Sequence, residues 1–187
     1  MSQQPQKLSS AFTQEEYFAT NLHLKSRFAG SAVIYCAAFL EQQAALQEGL
    51  SQITGLKAHL NGSDYDDQGA KLLWAGAQAW LYVHRDMPAQ EAFSQLSALG
   101  EIAQVVDLTH ARAVIQITGK KRWELLKKSL FIDCEELKTD SVILASLEHI
   151  PVLIHVRDEA SMDLYVTRSF ARALWQRLAH SASEWQN

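Results

Sequence analysis

Leu81-Tyr82-Val83-His84-Arg85 and Leu164-Tyr165-Val166-Thr167-Arg168 are nearly the same five residues, and each run leads from strand-like into helix-like sequence. After a one-residue slip, Ala89, Phe93, Gln95 and Leu96 line up with Ala171, Trp175, Arg177 and Leu178. The stretches before them correspond as well, as a strand, a helix and three strands. The period is too long for a solenoid, whose repeats run about 20–50 residues. The reading is therefore an α+β fold of two similar β-α-β-β-β-α halves packed as one unit. A tail over 1–12 precedes a single domain over 13–187, with halves at about 22–100 and 103–185.

The 187 residues are enough for one such domain, and 48% apolar with 20% charged residues is ordinary globular composition. A net charge of −4 argues against nucleic-acid or anionic-membrane partners, which ask for clustered Lys and Arg. No apolar run approaches the ~20 residues of a membrane span, and MSQQPQKLSS has no signal-like apolar stretch. Two cysteines, Cys36 and Cys134, make no disulfide framework, so a cytoplasmic protein with reduced thiols is expected.

Local patterns place the elements. Thr13 and Glu16 form a capping box that predicts a short helix over 14–20. A strand is expected over 23–28. Cys36, Phe39, Leu46, Leu50 and Ile53 share a helical face, so a helix is expected over 33–53, ended by Gly55. Strands are expected over 56–60, 71–74 and 79–84, with a polar loop over 61–69. Pro88 opens a helix with Ala92, Phe93, Leu96 and Leu99 on its apolar side. Strands over 103–108 and 112–118 follow, then a helix from Gly119 burying Trp123, Leu126 and Leu130. Residues 142–147 and 152–156 are apolar on both faces and read as central strands. A strand over 162–166 leads to a last helix capped by Ser169, with Ala171, Leu174, Trp175, Leu178 and Ala182 inward.

The common catalytic signatures are absent: no dinucleotide fingerprint, P-loop, nucleophile elbow, C-x-x-C or H-E-x-x-H occurs. Asp107, His110 and Arg112 could do acid–base work, but no nucleophile is spaced beside them, and satisfying local backbone is the plainer role. The Asp64–Gly69 loop starts like a calcium loop, but Ala75 stands where a bidentate Glu is required. Gly119-Lys120-Lys121-Arg122 could meet an anion at a helix start, against the plainer reading of an exposed basic turn. Both cysteines read as packing residues.

One family resemblance stands out. Val105-Val106-Asp107-Leu108-Thr109-His110-Ala111-Arg112-Ala113-Val114-Ile115-Gln116-Ile117-Thr118-Gly119 resembles the VVDLSHARAVIRISG segment of sarcosine oxidase γ subunits. Residues 150–155, 163–175 and the Trp74–Leu81 turn are similar to that family too. The resemblance implies a non-catalytic small subunit of a heterotetrameric enzyme that oxidatively demethylates sarcosine to glycine. That reaction gives hydrogen peroxide, with formaldehyde or methylene-tetrahydrofolate. It also implies α, β and δ partner subunits, which carry FAD, FMN, NAD, zinc and tetrahydrofolate, and a fold like that of the aminomethyltransferases. No catalytic, cofactor or metal residue carries over to this chain. The sequence departs from the pattern at Gly119-Lys120, where the family has Gly-Pro, and over 135–140, which lacks the family's glycine.

A second reading is a stand-alone folate-binding or regulatory protein of the aminomethyltransferase superfamily, although the K-G-C-Y-x-G-Q motif of its iron–sulfur-assembly members is absent. An isolated enzyme is a third. With no site chemistry in view, a partner surface is expected. Trp80 and Trp185 are its candidate exposed anchors, with Arg112 and Arg168, which stand beside the segments that match the family, as further candidates.

Overall fold

The computed structural model describes residues 15–130 and 137–186. Three strands come first: β1 (Glu16–Ala19), β2 (Leu22–Phe28) and β3 (Ala32–Ala38). Helix α1 (Gln43–Thr54) is followed by β4 (Ser63–Tyr65), β5 (Ala70–Gly76), β6 (Ala79–His84) and α2 (Ala89–Leu96). Then come β7 (Ala103–Asp107), β8 (Arg112–Thr118), α3 (Arg122–Lys127), β9 (Val142–Leu147), β10 (Ile150–Val156), β11 (Ser161–Thr167) and α4 (Arg168–Ala182). The strands form two antiparallel sheets, ordered β1-β2-β8-β11-β10-β9 and β4-β5-β6-β3-β7.

Side-chain alternation along the strands sets the layers. On β3, Ala32, Ile34 and Cys36 pack with Leu46 and Leu50 of α1 and Ala92 and Leu96 of α2. Between them Val33 points the other way, into a core shared with Val114 and Tyr165 of the second sheet. On β8 and β11, Ile115, Ile117, Leu164 and Val166 face Leu125 and Leu126 of α3 and Leu174 and Leu178 of α4. The fold is thus mixed α+β in four layers: helices, sheet, sheet, helices. Covering both faces explains why β6 and β11 are buried at nearly every position. Each large side chain so buried contributes roughly 1.5–3 kcal/mol.

Each sheet contains four strands in matching order, β4-β5-β6-β3 and β9-β10-β11-β8. Each set has one helix after its first strand and one after its last, α1 and α2 or α3 and α4. The flanking strands cross over. β2 precedes β3 in the chain yet pairs with β8, while β7 precedes β8 yet pairs with β3.

Several expectations are corrected. Residues 16–19 form a strand rather than a helix, because pairing with β2 overrides the capping signal; Glu16 reaches Lys25 across the pair at 2.7 Å. Thr13 lies outside the described residues. The expected helix over 33–53 is two elements. Val33 and Ile34 are β-branched and enter β3 between β6 and β7. The helical spacing is real only in α1, which ends at Gly55 with φ 73°, a left-handed conformation that favours glycine.

Residues 56–60 are not a strand, and the loop expected over 61–69 contains β4. β9 is an edge strand rather than a central one: Val142 and Leu147 are buried, but Leu144 is half exposed. Thr167, not Ser169, immediately precedes α4, without a side-chain cap. Phe93 lies on the exposed side of α2. The five inward residues expected of α4 are all buried.

Candidate functional site

Between Met162 and Val166, β11 is apolar except at Asp163. Met162, Leu164 and Val166 face the helices, so alternation turns Asp163 and Tyr165 toward the other sheet. Asp163 is fully buried. A buried carboxylate requires counter-charge, and three elements supply it. Arg27 on β2 donates to Asp163 Oδ2 at 2.8 Å. Lys71 on β5 of the opposite sheet comes to 3.8 Å, and Arg157, just after β10, to 3.9 Å.

These cations line a cleft of about 760 Å3 between the sheets. Arg85 joins them there, with Thr109, His110 and Tyr165. Arg85 is also paired with Asp86 at 3.1 Å. The Lys71 ammonium is held below its ordinary pKa, first by burial and then by repulsion from Arg157, Arg27 and Arg85; Asp163 partly offsets this. His155 lies opposite Asp163 on β10 and shares a 3.0 Å hydrogen bond with Ser63 Oγ of the other sheet. Burial, then the charges of Lys71, Arg157 and Arg27, pull its pKa down to about 3, so the ring is neutral at pH 7. Burial pushes the Tyr165 phenol up, and its hydroxyl has no hydrogen-bond partner among the described residues. The arrangement can hold negative charge. The Ser63–His155 hydroxyl–imidazole pair is buried and does not line the cleft.

The sequence's candidates lie elsewhere. Trp80 is corrected outright: far from being partly exposed, it is fully buried on the helix side of β6, where its indole N–H donates to His59 O at 3.0 Å. Alternation on a strand covered on both faces leaves no solvent side for it. Arg112 donates to Thr167 Oγ1 at 2.6 Å, and Arg168 donates to His110 O at 3.4 Å, so both brace the junction of the β7–β8 turn with α4. Trp185 is partly exposed, as expected. It packs on the helix-side core while Lys121 and Lys128 sit 4.7 and 4.2 Å from its ring centre. Only the two arginines share a neighbourhood.

Asp107 accepts from Thr109 N at 2.8 Å, the local role foreseen. Asp66 accepts the backbone N–H groups of Gln68 and Ala70, and Asp64 those of Tyr65 and of Lys57. Among the described residues, no His, Cys, Asp and Glu cluster could hold a metal. The basic turn is occupied internally, with Lys121 paired to Glu124 and Arg122 bonded to Gly119 O. Cys36 is buried on β3, its thiol pushed up to about 12 by burial, while Cys134 lies outside the described residues. No helix among the described residues is long and apolar enough to cross a membrane.

The cleft residues were missed because they come from four strands and several separate loops. The available signal was a lone acid inside Met162-Asp163-Leu164 and a lone histidine inside Ile154-His155-Val156.

No protein-family model matches the chain. Sarcosine oxidase subunit gamma from Corynebacterium sp. (strain U-96) is 32% identical to it over 133 residues, 70% of this chain. The chain spans 64% of that relative's length. A chain of the heterotetrameric sarcosine oxidase from Corynebacterium sp. U-96, solved with pyrrole 2-carboxylate, superposes with a TM-score of 0.76 at 26% identity, covering 88% of this chain and 86% of that one. The glycine cleavage system aminomethyltransferase T from Bartonella henselae shares the fold alone, with a TM-score of 0.58 at 19% identity over 79% of this chain and 42% of that one. The chain is thus similar in sequence to a sarcosine oxidase γ subunit and in fold to a chain of the heterotetrameric sarcosine oxidase.

Proposed function

We propose that this chain is a γ-type, non-catalytic subunit of a heterotetrameric sarcosine oxidase in the cytoplasm. The observation that carries the reading is the 32% identity to a γ subunit, together with the fold match to a chain of the heterotetramer. In this reading the α, β and δ subunits hold FAD, FMN, NAD, zinc and tetrahydrofolate. Sarcosine is demethylated there to glycine, with hydrogen peroxide and either formaldehyde or methylene-tetrahydrofolate as products. Arg112, Arg168 and Trp185 remain as partner-contact residues. Trp80 is withdrawn because it is buried.

The test is co-expression with candidate α, β and δ subunits, followed by affinity purification at moderate salt. Stoichiometric co-purification is expected, and sarcosine-dependent peroxide should form only when the partners are present. A chain that purifies alone beside an assembled flavoprotein would overturn the reading.

The two β-α-β-β-β-α sets are, in the same proposal, copies of one ancestral unit. The matching strand order supports this. Superposing β3–β6 with α1 and α2 on β8–β11 with α3 and α4 tests it. A fit no better than that of unrelated four-stranded α+β units would end it.

A further inference from the structure

We propose that the cleft between the two sheets is a binding site for a small dianion carrying phosphate or paired carboxylate groups. Three independent features converge on it. The first is charge. Arg27, Lys71, Arg85 and Arg157 line the cleft or its floor, while the acids paired with them are Asp163 and Asp86. Even with Arg27 left out of the count because it has a further partner, Lys71, Arg85 and Arg157 outnumber the two carboxylates by one.

The second feature is depth. The Arg27 and Lys71 side chains are only 28% and 23% exposed, whereas Arg85 at the mouth is 71% exposed. An anion entering from solvent meets Arg85 first and the shielded cations further in. Charge-assisted hydrogen bonds gain strength as water is excluded. The suppressed proton affinity of Lys71 reflects the same crowding of cations, which a bound anion would relieve. The third feature is an orphan donor: Tyr165 lines the cleft, is 3% exposed, and its hydroxyl has no partner among the described residues. The volume of about 760 Å3 suits a small molecule, within the roughly 300–1,000 Å3 of such sites.

The site needs no partner subunit, so the inference stands independently of the proposed function. The experiment is calorimetric titration of the full-length chain with inorganic phosphate and, separately, with succinate. Sodium chloride replaces each probe in a control of equal ionic strength. One saturable site per chain is expected for at least one probe and none for chloride. Preference for phosphate would mark a phosphorylated ligand, and preference for succinate a dicarboxylate. Arg85→Gln, at the exposed mouth, and Arg157→Gln should each weaken binding about tenfold or more, the usual loss with one charged hydrogen-bond partner. Urea midpoints of the variants establish that they fold, and Arg85→Gln should leave the midpoint unchanged. Absence of saturable binding, or equal binding by wild type and a folded Arg85→Gln variant, overturns the proposal.

Discussion

The two sheets present unlike faces to each other. The five-stranded sheet contributes Val33, Leu73, Leu81 and Val83 to the central core, with Lys71 as its one charged side chain at the Asp163 cluster. The six-stranded sheet contributes Val114, Val142, Leu153 and Tyr165, but also buries Asp163 and His155. Taking the strand starts Ala79 and Ser161 as equivalent, Leu81 stands where Asp163 does and Trp80 where Met162 does. Two sheets sharing a strand order therefore differ inside: one inner face is apolar apart from Lys71, and the other buries Asp163 and His155. Strand order is set by backbone pairing and by covering both faces; the choice between Leu and Asp at one inward position decides whether a face only packs or also holds charge.

The sharpest way to break that comparison is Asp163→Asn. It leaves Arg27, Lys71 and Arg157 facing one another without their shared carboxylate. Breaking a buried ion cluster from one side destabilises by about 3–5 kcal/mol. Urea unfolding should show a loss of that size, and a loss below about 1 kcal/mol would mean that the carboxylate is not the keystone of the inner face.

The joints after the last strand differ as well. α4 begins immediately after β11, whereas β6 and α2 are separated by Arg85–Pro88. His84 holds that link, its Nδ1 accepting the backbone N–H groups of Asp86 at 3.1 Å and Met87 at 2.9 Å. His84→Leu strands both donors, each at about 1 kcal/mol or more. The expected loss is about 2–3 kcal/mol by chemical denaturation, with Asp86 and Met87 amides exchanging faster. His84→Asn, whose side-chain oxygen can still accept, should recover part of it.

How far the sequence revealed all this depends on the range of the interaction. Helix faces and buried strands were legible, because period and composition are local: α4's five inward residues and the bounds of β8 both matched. Register and pairing were not. The Leu-Tyr-Val match is out of step with the faces: Tyr82 packs against helices, while Tyr165 faces the other sheet. A one-residue slip exchanges the faces of a strand, so residue identity at the joints suggested the repeat while misaligning it. The capping box at Thr13 lost to strand pairing for the same reason. Asp163 could be noticed as odd within an apolar run, but not its partners, since Lys71 meets it only through the packing of two sheets and Arg27 comes from a strand two away in the same sheet.

A third prediction uses pH to sharpen the contrast. His155 has its folded pKa pulled down to about 3 from an ordinary 6.5. Between these values the unfolded chain binds a proton that the native chain refuses. Stability is therefore fully present above about pH 6.5 and is lost as pH falls toward 3, at up to about 1.4 kcal/mol per pH unit. Urea midpoints between pH 7.5 and 4.5 should show this slope in wild type, and His155→Gln should flatten it by about one proton. Identical slopes in the two proteins would show that His155 is not the group being titrated.

The smallest expected effect concerns Tyr165, on the charged inner face. Tyr165 buries a hydroxyl with no partner among the described residues, close enough to Asp163, Arg27 and Arg157 for their charges to act on it. An unpaired buried hydroxyl stabilises nothing, and its removal without a change of ring shape is neutral or favourable, within about 1 kcal/mol. Tyr165→Phe should therefore unfold at an equal or slightly higher urea concentration, whereas a well-bonded buried tyrosine would lose about 1 kcal/mol or more. The same variant links packing to the cleft. If the hydroxyl is held in reserve for an anion, Tyr165→Phe gains or keeps stability while weakening phosphate or succinate binding. A polar group that only filled space would shift neither, and a structural hydrogen bond would shift stability downward. Opposite signs on the two measurements are the signature that separates a built site from a packing accident on the charged face.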